Sequence, residues 1–334
     1  MEHKLEITKK LEDLGDQLDS DDFVAILNLP DANLCSKRGE FVLRESSLEQ
    51  ACKGCVTQSI KMDSRLSQEE VKEVIDYFAK NYGTKFITIN GRGEVFHSHL
   101  REMSLWKIKY ADSKGIQSYI FTPGNDLDEQ TCITLAERNV NVMISLYGNR
   151  FIDADFFEGR AYPEAQRPIQ NQADIARKLR DLIRAFRESP NQPEQGTTRL
   201  GMNYVVDERD LVDGATKVKR MKEAVNRNGI FFVCNTDFYP HPNPETQRQL
   251  RMLSKEYTDF HISHSTGVGG QCQMGAGSAV TIDFNGDLYR CPYMSGGGNG
   301  KFQSMSDFKR REVIGKYLKD RAYSCGFRRT PIAI

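Results

Sequence analysis

The chain has 334 residues, with 46 basic and 46 acidic side chains and therefore a formal net charge of zero, and 39% of its residues are hydrophobic. Balanced charge leaves no electrostatic footprint for nucleic acid or an anionic membrane, and no apolar run approaches the ~20 residues that span a bilayer. The charged opening MEHKLEITKKLEDLGDQLDSDD lacks a signal peptide's apolar core, so a cytoplasmic, reducing setting is expected. There the eight cysteines read as metal ligands, catalytic groups or core residues before they read as disulfides.

Residues 1–21 predict a short helical extension. FVAILNL (23–29) is a run of strand formers, and SQEEVKEVIDYFAKNYG then shows a capping box, Ser67 with Glu70. Its apolar stripe is Val71, Val74, Ile75 and Phe78, and Gly83 marks its end. Further strands follow as KFITIN (85–90), SYIFT (118–122), VNVMISL (140–146), RLGMNYVV (199–206) and GIFFVCN (229–235), with helical segments between them. Six strands alternating with helices predict an α/β fold, a parallel sheet curved into a TIM-like partial (β/α)6 or full barrel over 22–239. Functional groups then belong on the loops after the strands' C-terminal ends. ESPNQPEQGTT (188–198) reads as an exposed loop. From about residue 240 the chain turns to Gly-rich loops, one hairpin AVTIDFNGDLYRC and a basic helix near 305–320, which predicts a small separate module over 240–334.

Cys52 and Cys55 form a C-x-x-C pair, and neither zinc nor an iron–sulfur cube is held by two sulfurs alone. Cys35 lies just past the first strand's C-terminal end, so all three thiols share one loop on the barrel mouth. Structural zinc is the alternative occupant, but it wants a fourth Cys or His nearby. In GRGE, after the second strand, Gly91 and Gly93 permit close backbone approach and Glu94 offers a carboxylate. His97 and His99 flank that loop, where a surface or capping role outranks metal ligation. Cys132, in a helix, reads as core packing. For Cys234, at a strand's end, packing ranks first, hydrogen-atom donation to a substrate radical second and cluster ligation third.

These features together, in order over roughly 22–235, resemble the radical S-adenosylmethionine (SAM) superfamily. The resemblance implies a four-iron (4Fe-4S) cluster on Cys35, Cys52 and Cys55 that binds SAM through its open iron. The family's usual spacing is C-x-x-x-C-x-x-C. Leu48 stands four before Cys52, so residues 36–51 are read as an insertion. Gly54 replaces the aromatic residue that commonly precedes the last cysteine, and Tyr147 replaces a frequent Asp. Gly91, Gly93 and Glu94 match the motif that approaches SAM, with Glu94 taking its ammonium. Ser145 and Asn203 match positions that approach its ribose, carboxylate or nucleoside. The stretch CQMGAGSAVTIDFNGDLYRCP is similar to the opening of SPASM or twitch extensions, which carry an auxiliary 4Fe-4S cluster. Cys272 and Cys291 are its expected ligands with Cys325, and Arg328 where another cysteine would fall makes the module a shortened one.

The implied activity is reductive cleavage of SAM to a 5′-deoxyadenosyl radical that abstracts hydrogen from a substrate carbon, epimerising, cross-linking or oxidising a ribosomal peptide. A dehydrogenase or epimerase of an aminosugar or other small natural-product intermediate is the second expectation. A non-catalytic iron–sulfur or zinc scaffold is the third, opposed by the retained GRGE and Ser145. An electron donor such as flavodoxin or ferredoxin and a separate leader-peptide-binding protein are the implied partners.

Overall fold

The computed structural model describes residues 3–31, 65–89, 93–146, 154–159, 170–206, 210–236, 244–256, 261–263, 277–291 and 298–320. Its first elements are β1 (Lys4–Leu5) and α1 (Glu6–Asp13), then β2 (Ile26–Asn28), α2 (Gln68–Tyr82), β3 (Phe86–Thr88), α3 (Arg101–Ser113) and β4 (Gln117–Thr122). Next come α4 (Glu129–Glu137), β5 (Val140–Ser145), α5 (Ala154–Phe157), α6 (Gln170–Glu188), β6 (Thr197–Thr198), β7 (Leu200–Val206), α7 (Val212–Arg227) and β8 (Phe231–Thr236). The last are α8 (Pro244–Glu256), β9 (His261–Ser263), β10 (Ala279–Ile282), β11 (Leu288–Tyr289) and α9 (Asp307–Lys319).

The main sheet has the order β11-β10-β2-β3-β4-β5-β7-β8-β9, parallel throughout except for the β10–β11 hairpin. All six expected strands lie in it as consecutive neighbours. No ladder joins β9 to β11 among the described residues. The βα alternation also runs on past residue 240, where a Gly-rich loop was expected, because α8 and β9 extend the sheet beyond β8. At the opposite edge β10 pairs with β2, Val280 beside Leu27.

Strand alternation divides the side chains into two faces. Leu27, Ile87, Val280 and Ile282 pack outward with α2 and α9 residues such as Val74, Phe78 and Ile314. Ile120, Val142, Ile144 and Met202 pack outward with Leu135, Leu179, Val218 and Val225 of the other helices. Ile26, Phe86, Tyr119, Met143, Phe231 and Val233 point the other way, into one interior cluster with Leu5, Ile7 and Leu11 of the N-terminal segment. The sequence pattern does not announce that last contact. The amphipathic α1 closes the sheet's N-terminal end, where β1 pairs with β6 and the Ile7 amide donates to Asn141 Oδ1 at 3.2 Å. Gly201 makes room there, since a Cβ at that position would lie 2.1 Å from Met143 Sδ.

Local signals are realised as expected at α2 and at the hairpin. Glu70 N–H donates to Ser67 Oγ at 3.2 Å and Ser67 N–H to Glu70 Oε2 at 2.8 Å, and the helix ends at Gly83. Between β10 and β11, Gly286 N–H donates to the Asp283 carbonyl at 2.8 Å with Gly286 at φ 86°, a left-handed position that closes the three-residue loop.

Candidate active site

The polar groups of the candidate site lie in the turn after β3, at the C-terminal ends of β4 and β5, and within β7. Glu94 follows β3 and is 1% exposed. Its Oε1 accepts from the Thr122 hydroxyl at the end of β4, 2.9 Å away, and from the Phe96 amide at 3.2 Å. Thr122 Oγ1 in turn accepts from Gly124 N–H at 3.0 Å. The carboxylate is thereby tied to the neighbouring strand and to the Phe96 backbone. Ser145, the last residue of β5, is the register partner of Asn203 on β7, whose Nδ2 donates to Ser145 Oγ at 3.4 Å. Below them the barrel wall is hydrogen-bonded across three strands. Thr88 Oγ1 donates to Asn28 Oδ1, and Asn28 Nδ2 donates to Thr281 Oγ1 at 3.5 Å.

Beside this row lies a buried ionic node that sequence reasoning missed. Asp31, just after β2, meets Arg65 Nη2 at 3.1 Å, the Ser104 hydroxyl at 3.1 Å and Lys107 Nζ at 3.4 Å. Lys107 also donates to the Leu29 carbonyl at 3.2 Å. Burial pushes the Lys107 ammonium's pKa down, and the adjacent Asp31 carboxylate opposes that shift. The only sequence cue was Asp31 standing four residues before Cys35, with two cations far along the chain.

Of the expected site residues, Glu94, Ser145 and Asn203 therefore share the C-terminal edge, and Gly93 adjoins Glu94. Gly91, Cys35, Cys52, Cys55, Cys272 and Cys325 lie outside the described residues. Cys291 is described and buried, in the interior cluster with Leu5, Ile7 and Ala279. Because β10 runs parallel to β2 and β11 returns, Cys291 sits at the N-terminal edge of the sheet, opposite Glu94.

Cys234 needs correction as a mouth thiol. It is fully buried on the helix-facing side with Tyr204, Phe232 and Leu250, whereas its neighbour Val233 faces the interior. Burial pushes its thiol pKa well above the ordinary value. Hydrogen donation and cluster ligation both need the other face, so packing is the role its surroundings support. Cys132 is likewise buried in the helix-facing core, its pKa pushed up to about 12. His97 and His99 lie in the turn before α3, with His97 Nδ1 accepting from His99 N–H at 3.4 Å, a capping geometry. Among the described residues no group of three or more His, Cys, Asp or Glu is arranged to hold a metal, and no helix is long and apolar enough to cross a membrane.

No protein-family model matches the chain, and no curated protein matches it in sequence. Solved structures do match in fold. SuiB of Streptococcus suis bound to its precursor peptide SuiA superposes with a TM-score of 0.56 at 15% identity, over 95% of this chain and 69% of that one. SuiB bound to S-adenosylmethionine gives 0.53 at 13%, over 95% and 68%. Native anSMEcpe with bound AdoMet gives 0.54 at 13%, over 85% and 79%. At these identities the likeness is one of fold: a mixed α/β partial barrel shared with SAM-binding enzymes.

Proposed function

We propose that the chain is a radical SAM enzyme that modifies a peptide. The observation that carries the reading is Glu94, a buried carboxylate held by Thr122 and the Phe96 amide beyond the C-terminal end of β3, on the side of the sheet where β5 ends in Ser145. The segment bearing Cys35, Cys52 and Cys55 leaves and rejoins the described fold on that same side, through Asp31 and Arg65.

The donor set suits the group. One carboxylate would take the SAM ammonium, while a hydroxyl and an amide would take its ribose or carboxylate oxygens. Gly91 and Gly93 would let the backbone close on it. Bound to a 4Fe-4S cluster on the three cysteines, SAM supplies a 5′-deoxyadenosyl radical that abstracts hydrogen from a substrate carbon. The chain's own part is to orient the cofactor through Glu94, Ser145 and Asn203 and to keep water from the interior. Cys272, Cys291 and Cys325 would hold the auxiliary cluster, within a module over 240–334.

Two facts support a peptide substrate. SuiB is seen with its precursor peptide, and anSMEcpe with the Cp18Cys peptide. The inward-facing side chains of β2 to β5, β7, β8 and β10, such as Asn28, Thr88, Tyr119, Phe121 and Asn203, are uncharged, which suits an uncharged peptide segment better than a cationic aminosugar. The test is anaerobic reconstitution with iron, sulfide, SAM and a reductant. 5′-Deoxyadenosine should form, and should carry deuterium from a deuterated peptide encoded beside the gene. Absence of 5′-deoxyadenosine from iron-replete protein would overturn the assignment, and its formation without deuterium transfer would overturn the peptide.

A further inference from the structure

Asp31 and Arg65 bracket residues 32–64, and they are ion-paired to each other. A long segment whose ends are free has many conformations to lose when three of its side chains must converge on one centre; fixing the ends removes part of that loss. Asp31 is 5% exposed and is itself immobilised from a third element, since Ser104 and Lys107 both project from α3. Arg65 has a second bond, Nη1 to the His99 carbonyl at 3.3 Å. His99 belongs to the turn between Glu94 and α3, in which the Glu94 carbonyl accepts from His97 N–H and the His97 carbonyl from Leu100 N–H. Next to Arg65, Leu66 N–H donates to the Phe284 carbonyl of the β10–β11 loop at 2.8 Å. One buried carboxylate thus ties together the two ends of the cysteine-bearing segment and the turn that presents Glu94.

We infer that Asp31, Arg65, Ser104 and Lys107 are positioning residues that keep the cysteine-bearing segment in register with Glu94, so that a ligand bridging the cluster and the Glu94 carboxylate meets both at a fixed separation. The inference rests on the radical SAM reading, because only a bidentate ligand such as SAM needs that register. Arg65 is the informative position: its side chain is 31% exposed, so Arg65→Gln leaves no buried charge stranded, while Lys107 still neutralises Asp31.

The experiment compares the full-length, anaerobically reconstituted wild type with Arg65→Gln, Arg65→Lys and Asp31→Asn. Four quantities are read: iron per chain, release of iron to a chelator, the change in the reduced cluster's electron paramagnetic resonance spectrum on adding SAM, and the melting temperature. Arg65→Gln should release the SAM-responsive cluster's iron roughly tenfold faster, as expected for loss of a charged hydrogen bond. It should also give a weakened or heterogeneous SAM-induced spectral change at a nearly unchanged melting temperature. Arg65→Lys should recover part of both, and Asp31→Asn should show the larger defect in the protein that folds. If Arg65→Gln matches wild type in iron release and in the SAM-induced spectrum, the positioning role is overturned, whatever the melting temperatures. A wild type that takes up iron but shows no SAM-responsive cluster overturns the radical SAM reading and the inference with it.

Discussion

Replacing Glu94 by Gln isolates the charge on which the proposed cofactor site turns. The substitution preserves shape and leaves a carbonyl oxygen where Oε1 now accepts from the Thr122 hydroxyl and the Phe96 amide, so both local bonds survive. What disappears is the negative charge offered to an ammonium. Charge-assisted hydrogen bonds are worth roughly twice their neutral counterparts, which makes the difference on the order of 2 kcal/mol. At 1% exposure little solvent screens Glu94, so the loss should not fall far below that figure. It corresponds to roughly a 30-fold weaker Kd for SAM. The assay is equilibrium dialysis of labelled SAM against anaerobically reconstituted protein, with iron content measured on the same samples. Weaker SAM binding at unchanged iron is the expected outcome. Equal SAM affinity in Glu94→Gln would refute the assignment, and parallel loss of iron would show that the residue supports the metal site and not the cofactor.

Reconstituted wild type should hold about eight irons, as two four-iron clusters, and joint replacement of Cys35, Cys52 and Cys55 by Ala should remove about half and abolish SAM cleavage. Retention of the SAM-responsive cluster in Cys35→Ala would show that the long-spaced ligand set is wrong. Cys234→Ala should cost on the order of 1 kcal/mol in denaturant unfolding and leave iron, 5′-deoxyadenosine and product unchanged. Product loss with 5′-deoxyadenosine still formed would return the thiol to the reaction. Ile7, fully buried in the interior cluster, should cost about 2 to 4 kcal/mol when cut to Ala. A cost well under 1 kcal/mol would mean that α1 is not part of the core.

The elements legible in the sequence are those whose causes are local. Ser67, Glu70 and Gly83 bound α2 through bonds made within a few residues, and Val71, Val74, Ile75 and Phe78 are its buried stripe as the spacing predicts. The six strands announce themselves as apolar runs for the same reason. Pairings between distant segments were not legible: β10 beside β2, β9 beside β8, and Lys4 beside Thr197 depend on which edges remain open once the sheet has formed. The site divides the same way. Glu94, Ser145 and Asn203 could be named because the short stretches that carry them resemble the motifs of a known family, and such stretches are contiguous in sequence. Asp31 with Lys107 and Arg65 could not, since a buried ion pair across 76 positions of chain leaves no spacing signal. For Cys234 the sequence ranked packing first but left two other roles open, because a position near a strand's end does not say which face the side chain takes, and one residue of phase inverts that direction.

The two ends of the sheet are chemically unlike. At the N-terminal end Leu5, Ile7 and Leu11 fill the interior against Phe86, Tyr119, Met143 and Phe231, so that end is closed by apolar packing. Toward the C-terminal end β4 finishes in Thr122 and β5 in Ser145, which hydrogen-bond to Glu94 in the turn after β3 and to Asn203 within β7. A parallel sheet places the ends of all its strands on one edge, so four positions spread over more than 100 residues of sequence become one surface. Asp31 and Arg65 lie on that same side. Cys291 lies at the closed end, within the same cluster as the α1 side chains.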